Sequence, residues 1–427
     1  MSTLWGFGNN GNGALGDGTN DSRSSPVQTI AGGSDWAVVH VGYDGTMALK
    51  NDGTLWTWGN GSYGCLGDLQ DSDRSSPVMI ANGKTWKSIG GANYYYGCSA
   101  AIDDNDHLFV WGLNDHGQLG LGDQNNRSSP IQMGGKTWSQ VSSSAYSMGA
   151  IDTDGKLWMW GDGGYGALGL NSTEDYSSPV QVGADTDWMQ IACGYHYTMA
   201  IKNDGTLWAW GEGNDGKIGL GNENDYSSPT QVGSDTNWNK VATCNDHSAA
   251  IKEDGSLFIW GKNNHGQLGQ GNQINTSSPV QVSGTWTDIT CGEYHTAAIK
   301  NSTLWTWGEN GDGQLGDGTQ DDKFSPVQTL MNFSGWTSVS AGYATVCLIT
   351  YSTEVIKSCS SKACTTPAFK CYVGTTSSLH LCKMAFIFSW LYSYSSFFGH
   401  LQWYFKCLCP SYYSLQFKTF LIIIVIK

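Results

Sequence analysis

The chain has 427 residues, 37 Asp and Glu against 22 Lys and Arg, a formal charge of −15, 57 Gly and 20 Trp. Such acidity excludes a protein that coats nucleic acid or an anionic membrane through clustered cations. The aromatic content excludes disorder and the Gly content excludes long helices, which leaves a Trp-rich β protein. The balance is not uniform. Residues 351–427 hold one acid (Glu354), seven Lys, no Asn or Asp, and six of the 12 Cys.

The first element, LWGFG at 4–8, recurs as LWTWG at 55–59, LFVWG at 108–112, LWMWG at 157–161, LWAWG at 207–211, LFIWG at 257–261 and LWTWG at 304–308. After each copy comes a GxxG step, from GALG at 13–16 to GQLG at 313–316. A Ser-Pro follows (Pro26, Pro77, Pro130, Pro179, Pro229, Pro279, Pro326), then a lone Trp (Trp36, Trp86, Trp138, Trp188, Trp238, Trp286, Trp336). Four independent markers thus agree on seven copies, 47 to 53 residues apart.

Each unit predicts four short strands. One starts at the Pro (SPVQV, 178–182), where a missing N–H does least harm. One starts at the lone Trp (188–194), and an apolar TMAIK (198–202) follows. The last, LWAWG, comes after an Asn-Asp-Gly turn at 203–205, read as a two-residue hairpin turn with both central residues at positive φ. Within LWxWG the aromatics share one face. Each large side chain contributes ~1.5–3 kcal/mol when buried, so these sheets must be covered by like neighbours. Radial packing of four-stranded units is a β-propeller. The chain opens on a fourth strand, and its repeats end at 337–350 without one, so the N-terminal strand is expected to complete the last blade. The fold class is therefore all-β: a seven-bladed β-propeller over 1–350. A Cys/aromatic-rich tail, 351–427, is expected to be disordered or non-native.

The runs LWxWGxNxxGQLGxG, SSPVQV and WxxIxxGxxHTxAIKxDG together resemble the repeat of the regulator of chromosome condensation family, over all of 1–350. The resemblance implies a seven-bladed propeller. It also implies functions that differ among members: nucleotide exchange on the GTPase Ran, ultraviolet sensing in plants, ubiquitin-ligase appendages and bacterial inhibition of β-lactamases. Fold alone does not choose among them. The exchange factor of this family uses an inserted wedge and a basic tail. Here the units stay between 47 and 53 residues and 1–350 is strongly acidic, so a small GTPase partner and exchange activity rest on resemblance only. Ultraviolet sensing needs exposed Trp beside Arg, whereas all 18 Trp of 1–350 are repeat markers and the Arg number three.

No GxSxG, HExxH or P-loop is present, so no catalysis and no cofactor is expected. Cys193 with His196, Cys244 with His247 and Cys291 with His295 have metal-like spacing. They are read as equivalent repeat positions with small Cys packed near the axis, and no metal is expected. The loop between the Trp strand and the apolar strand varies where the markers do not. It carries Tyr43, Asp44, Tyr94, Tyr95, Tyr96, Tyr146, Tyr195, His196, Tyr197, Asp246, His247, Glu293, Tyr294, His295 and Tyr343, including nine of the 13 Tyr of 1–350.

A cyclic repeat places these loops on one face. The resulting crown is predicted to bind a protein with a basic or mixed surface, because Tyr offers a rigid ring with a polar tip. It resembles the propeller face used by the β-lactamase-inhibiting members. A carbohydrate-binding module is the alternative, since Asp44, Asp246 and Glu293 beside aromatic rings also suit sugars. A monomer without nucleic-acid contacts is expected. No N-terminal signal peptide is visible and the Cys look reduced, which points to the cytoplasm; a misassigned start would allow secretion. Membrane contact is expected only if 384–405 inserts. That stretch is uncharged and long enough to span, but its Ser, Gly, His and Gln oppose insertion.

Overall fold

A computed structural model describes residues 2–30, 35–81, 83–91, 97–330 and 335–351, together with 369–371 and 382–384. Two compact units are present, Met1–Thr353 and Glu354–Lys427. The first consists of seven four-stranded antiparallel sheets. Blades 1 to 6 run Trp36–Ile80, Trp86–Gln132, Trp138–Gln181, Trp188–Gln231, Trp238–Val282 and Asp288–Gln328. Blade 7 takes two strands from each end: Trp336–Ala341 and Thr345–Tyr351 are joined by Ser2–Gly8 and Arg23–Gln28. The closing ladder is continuous, from Ser2 opposite Tyr351 to Gly8 opposite Thr345.

Two details differ from the sequence expectation. The Pro strand does not head a blade; it is the last strand of the blade before it, with Trp208 opposite Gln231 and Gly211 opposite Tyr226. The GxxG step folds back over the blade end, so the longer connection is the one that returns beside its own strand. The short link from Gln231 to Trp238 crosses to the next blade. An outer strand also tolerates Pro, because its far side has no ladder to supply. The second difference is the Asn-Asp-Gly turn. Gly205 donates to the Lys202 carbonyl and Lys202 N–H to Thr206, and only Gly205 has positive φ, at 76°. Asp204 instead accepts from the Thr206 N–H at 3.0 Å. This is a three-residue loop with glycine at the left-handed position.

Packing between blades explains the repeat markers. Trp58, Trp111, Trp160, Trp210, Trp260 and Trp307 each donate the indole N–H to a carbonyl of the preceding blade's GxxG step, at 2.8–3.0 Å. The second Gly of that step lies against the indole: a Cβ at Gly169 (φ +69°) would come 2.8 Å from Trp210 Nε1. The lone Trp of a blade stands against both aromatics of its LWxWG strand, with centroids of Trp188 6.2 Å from Trp208 and 6.2 Å from Trp210. Nearer the axis, Gln140 accepts from Ile191 N–H and Gln190 from Val241 N–H.

Thr46, Ser99, Thr198, Ser248 and Thr296 add hydroxyl bonds to the same carbonyls. The seam between blades 6 and 7 has neither donor, because Phe7 and Val346 occupy the paired positions. A Phe7→Trp, Val346→Thr double variant is therefore expected to be more stable by ~1–2 kcal/mol, read as a higher denaturant midpoint with unchanged slope.

In the second unit a short antiparallel pair is described, Phe369–Cys371 with Cys382–Met384, where the sequence carried no hairpin signal. The rest of 352–427 lies outside the described residues, and with it the expectations of a disordered or non-native tail and of a membrane span over 384–405, of which only Met384 is described. Among the described residues no helix is long and apolar enough to cross a membrane.

Candidate functional site

The turns between first and second strands lie together on one face. Five of them are sealed by the residue after LWxWG: the N–H groups of Asn60, Asp162, Glu212, Lys262 and Glu309 donate to the carbonyls of Asp44, Tyr146, His196, Asp246 and Tyr294, all at 2.9 Å. The hairpin therefore brings a second variable side chain to the face in each of these blades. The residue before GxxG adds a third: His116 meets the Tyr146 ring at 5.0 Å, Tyr165 meets His196 at 5.2 Å and His265 meets Tyr294 at 5.1 Å. The sequence pattern does not single these positions out, because they adjoin a GxxG step whose spacing reads as purely structural. The same signal that marked the hairpin turns, a variable residue between fixed ones, would have found them.

Among the described residues, blades 3 and 4 carry the densest cluster. Tyr146 lies 5.9 Å from Tyr195 and stacks on His196 at 5.8 Å; Tyr195 meets His196 edge-on at 4.2 Å. Carboxylates flank the rings, with Asp162 3.6 Å from His196 Nδ1 and Asp175 3.7 Å from His116 Nδ1. Tyr63 and Tyr165 are 47% exposed although both backbones are left-handed, at φ 57° and 55°. That conformation costs roughly 1–2 kcal/mol for a residue with a Cβ. Beneath the cluster is a buried lysine, Lys217. Its ammonium donates to the carbonyls of Tyr195 and Asn245 and pairs with Glu212, which ties the turns of blades 4 and 5 together.

The remaining expected residues divide into three groups. Tyr43 and Tyr343 stack at 4.1 Å across the seam of blades 7 and 1, and Asp44, Asp246 and Tyr294 are partly exposed beside these turns. Glu293 is on the same face but almost wholly buried. Tyr197, His247 and His295 have no exposed surface, so they are seam residues and not part of the crown. The Tyr197 hydroxyl, for example, donates to the His247 carbonyl at 2.8 Å. Tyr94, Tyr95 and Tyr96 lie outside the described residues. No described Trp is classed as exposed.

The three Cys–His pairs are not equivalent. Cys193 and Cys291 end first strands, opposite Thr198 and Thr296. Cys244 lies one residue beyond its strand, and His196 is a turn residue while His247 and His295 begin second strands. The expectation of equivalent packing positions fails because the spacing hides a one-residue offset.

Burial pushes Asp44 up to about 6, against a hydrogen bond from Asn12 and with help from Asp73 and Asp312. Burial likewise raises Glu309 and lowers His196, the latter opposed by Asp162 and Glu212. Because the folded pKa of Asp44 is above its unfolded value, its contribution to stability is full below pH ~4 and is lost as pH rises through about 6. Asp44→Asn should remove that loss, leaving the variant about 1–2 kcal/mol more stable than wild type at pH 7.5 and no more stable at pH 4. Urea midpoints at the two pH values check this.

A closed ring of seven blades with its variable aromatic and acidic residues gathered on one face defines a repeat β-propeller of the seven-bladed class. Residues 2–234 match the RCC1-like domain, and 239–267, 254–299 and 301–349 match the regulator of chromosome condensation (RCC1) repeat. The chain belongs to this family. It is 32% identical over 131 residues to the ultraviolet-B receptor UVR8 of Arabidopsis thaliana, covering 30% of this chain and 29% of that protein. It is 31% identical over 129 residues to the E3 ubiquitin-protein ligase HERC2 of Homo sapiens, covering 30% of this chain and 3% of that protein. The chain thus spans less than a third of the length of either relative. Prp20p of Saccharomyces cerevisiae, solved in a study of its binding to Gsp1p and histones, superposes with a TM-score of 0.72 at 18% identity, over 82% of this chain and 92% of that one.

Proposed function

We propose that this protein is a non-catalytic interaction propeller that binds a partner protein through the crown, with the Tyr146, Tyr165, Tyr195 and His196 cluster as its anchor. The observation that carries this reading is rigid aromatic surface beside carboxylates, with two exposed Tyr held in costly backbone conformations. Strain of that kind gathers at binding sites. Aromatic faces and carboxylates both attract cations, so the partner presents Lys or Arg from a basic surface. Protein binding described for Prp20p agrees in kind with this reading.

The test is affinity capture with the full chain against a Tyr146→Ala, Tyr165→Ala, Tyr195→Ala variant, at low and raised salt. Proteins retained by wild type should be lost from the variant by at least ~30-fold, as two hot-spot rings predict, and weakened by salt. Unchanged capture by a folded variant overturns the reading. Binding on a glycan array that the same variant loses would replace the protein partner with a sugar.

A further inference from the structure

We propose that Cys244, His247 and Cys291 form a binding site for a thiophilic metal ion of the zinc(II) or copper(I) type, set in the seam between blades 5 and 6. The three donor atoms lie within 4.8 Å of one another, and the residues are 1%, 0% and 5% exposed. Cys244 Sγ is 3.1 Å from His247 Nδ1. Two thiolates and one imidazole are a donor set that selects such ions over hard cations.

The hydrogen bonds around the ring settle which nitrogen faces the sulfurs as a lone pair. The Thr296 hydroxyl donates its single proton to the Gln267 carbonyl at 2.8 Å. It can then only accept from His247 Nε2, 2.9 Å away, so Nε2 carries the ring proton. In the neutral ring Nδ1 is then the lone-pair nitrogen, and it is directed at Cys244. A metal-binding histidine is oriented in this way, by a partner on its other nitrogen.

Packing alone does not demand these residues. At the equivalent places the seam of blades 3 and 4 has Ser144, Ser147 and Cys193. The seam of blades 4 and 5 has Gly194, Tyr197 and Thr243; that of blades 6 and 7 has Gly292, His295 and Ala341; and that of blades 7 and 1 has Gly342, Thr345 and Val41. All of them close. Among the described residues, only this seam brings sulfur, nitrogen and sulfur together, from positions 47 residues apart in the chain. Binding replaces the protons of both thiols with the ion. Two protons are released, and zinc(II) leaves the site neutral.

The experiment refolds the full chain, freed of metal, with zinc(II) in one arm and with copper(I) under reducing, oxygen-free conditions in the other. Metal per chain is counted after washing with a chelator. Because the tail carries further Cys, the quantity read is the difference between wild type and Cys244→Ser. One equivalent more in wild type is expected in at least one arm, and that arm names the ion. Cys291→Ser should lose the same equivalent and Cys193→Ser should keep it. Thr296→Val retains all three ligands and should weaken binding by roughly 10–100-fold. Near-ultraviolet circular dichroism from the buried Trp shows whether each variant is folded, and cobalt(II) substitution should give a thiolate charge-transfer band stronger in wild type and Cys193→Ser than in Cys244→Ser and Cys291→Ser. Equal metal in folded wild type and Cys244→Ser in both arms overturns the proposal, as does equal loss from Cys193→Ser.

Discussion

Removal of residues 2–28 is expected to unfold the entire repeat domain, with loss of the near-ultraviolet signal and appearance of soluble aggregates. In an open stack of repeats an end unit can be lost at the cost of one interface. A closed ring differs, because blade 7 has two neighbours. Deletion takes Phe7 from a core with Ile299, Leu304, Trp336 and Val339, and Leu4 from one with Trp36, Val39 and Trp58. Each of the two side chains contributes ~1.5–3 kcal/mol. The ladder to Thr345–Tyr351 goes with them, and the exposed edge invites pairing between chains. Together these losses rival the 5–15 kcal/mol typical of a whole domain. A permuted chain that starts at residue 36 and joins 351 to 2 through a short turn should fold normally, because Ser2 and Tyr351 are already paired neighbours. Cooperative, wild-type-like unfolding of the deletion variant would show that closure contributes little.

Trp210→Ala is expected to cost ~3–5 kcal/mol, among the largest effects of any single change. Trp210 has no exposed surface and packs with Leu157, Met159, Leu168, Trp188 and Ile191 across the seam of blades 3 and 4. Its indole also donates to the Ala167 carbonyl at 2.9 Å. Trp210→Phe should cost only ~1–2 kcal/mol. That carbonyl retains the Thr198 hydroxyl, and Phe7 already occupies the corresponding place in blade 7. Urea midpoints of the two variants separate volume from hydrogen bond. Equal losses would mean that the hydrogen bond dominates, and the packing account of the marker Trp would fail.

The blade number was legible because LWxWG, GxxG, Ser-Pro and the lone Trp are each needed once per seam: indole, backbone turn and outer strand all depend on their neighbours being present. The crown was legible only in part. Tyr146, Tyr195 and His196 stand out as variable residues between fixed ones, yet His116, Tyr165 and Lys217 reach the same cluster from the far side of a long loop. Tyr197, His247 and His295 belong to the same variable stretch, but they begin a strand, and alternation along that strand turns them into the seam.

Repetition along the chain was enough to determine seven like units, their aromatic faces and the need to stack them, since period and burial are local consequences of residue order. Tertiary structure alone decided which strand the Pro segment joins, which turn residues stay at the surface and which enter the seams, and how sulfurs 47 residues apart come to lie within 4.8 Å of one imidazole nitrogen. Those outcomes depend on contacts between neighbouring blades. Spacing in one unit carries no information about a one-residue offset relative to the next, and such an offset moves a side chain from surface to interior.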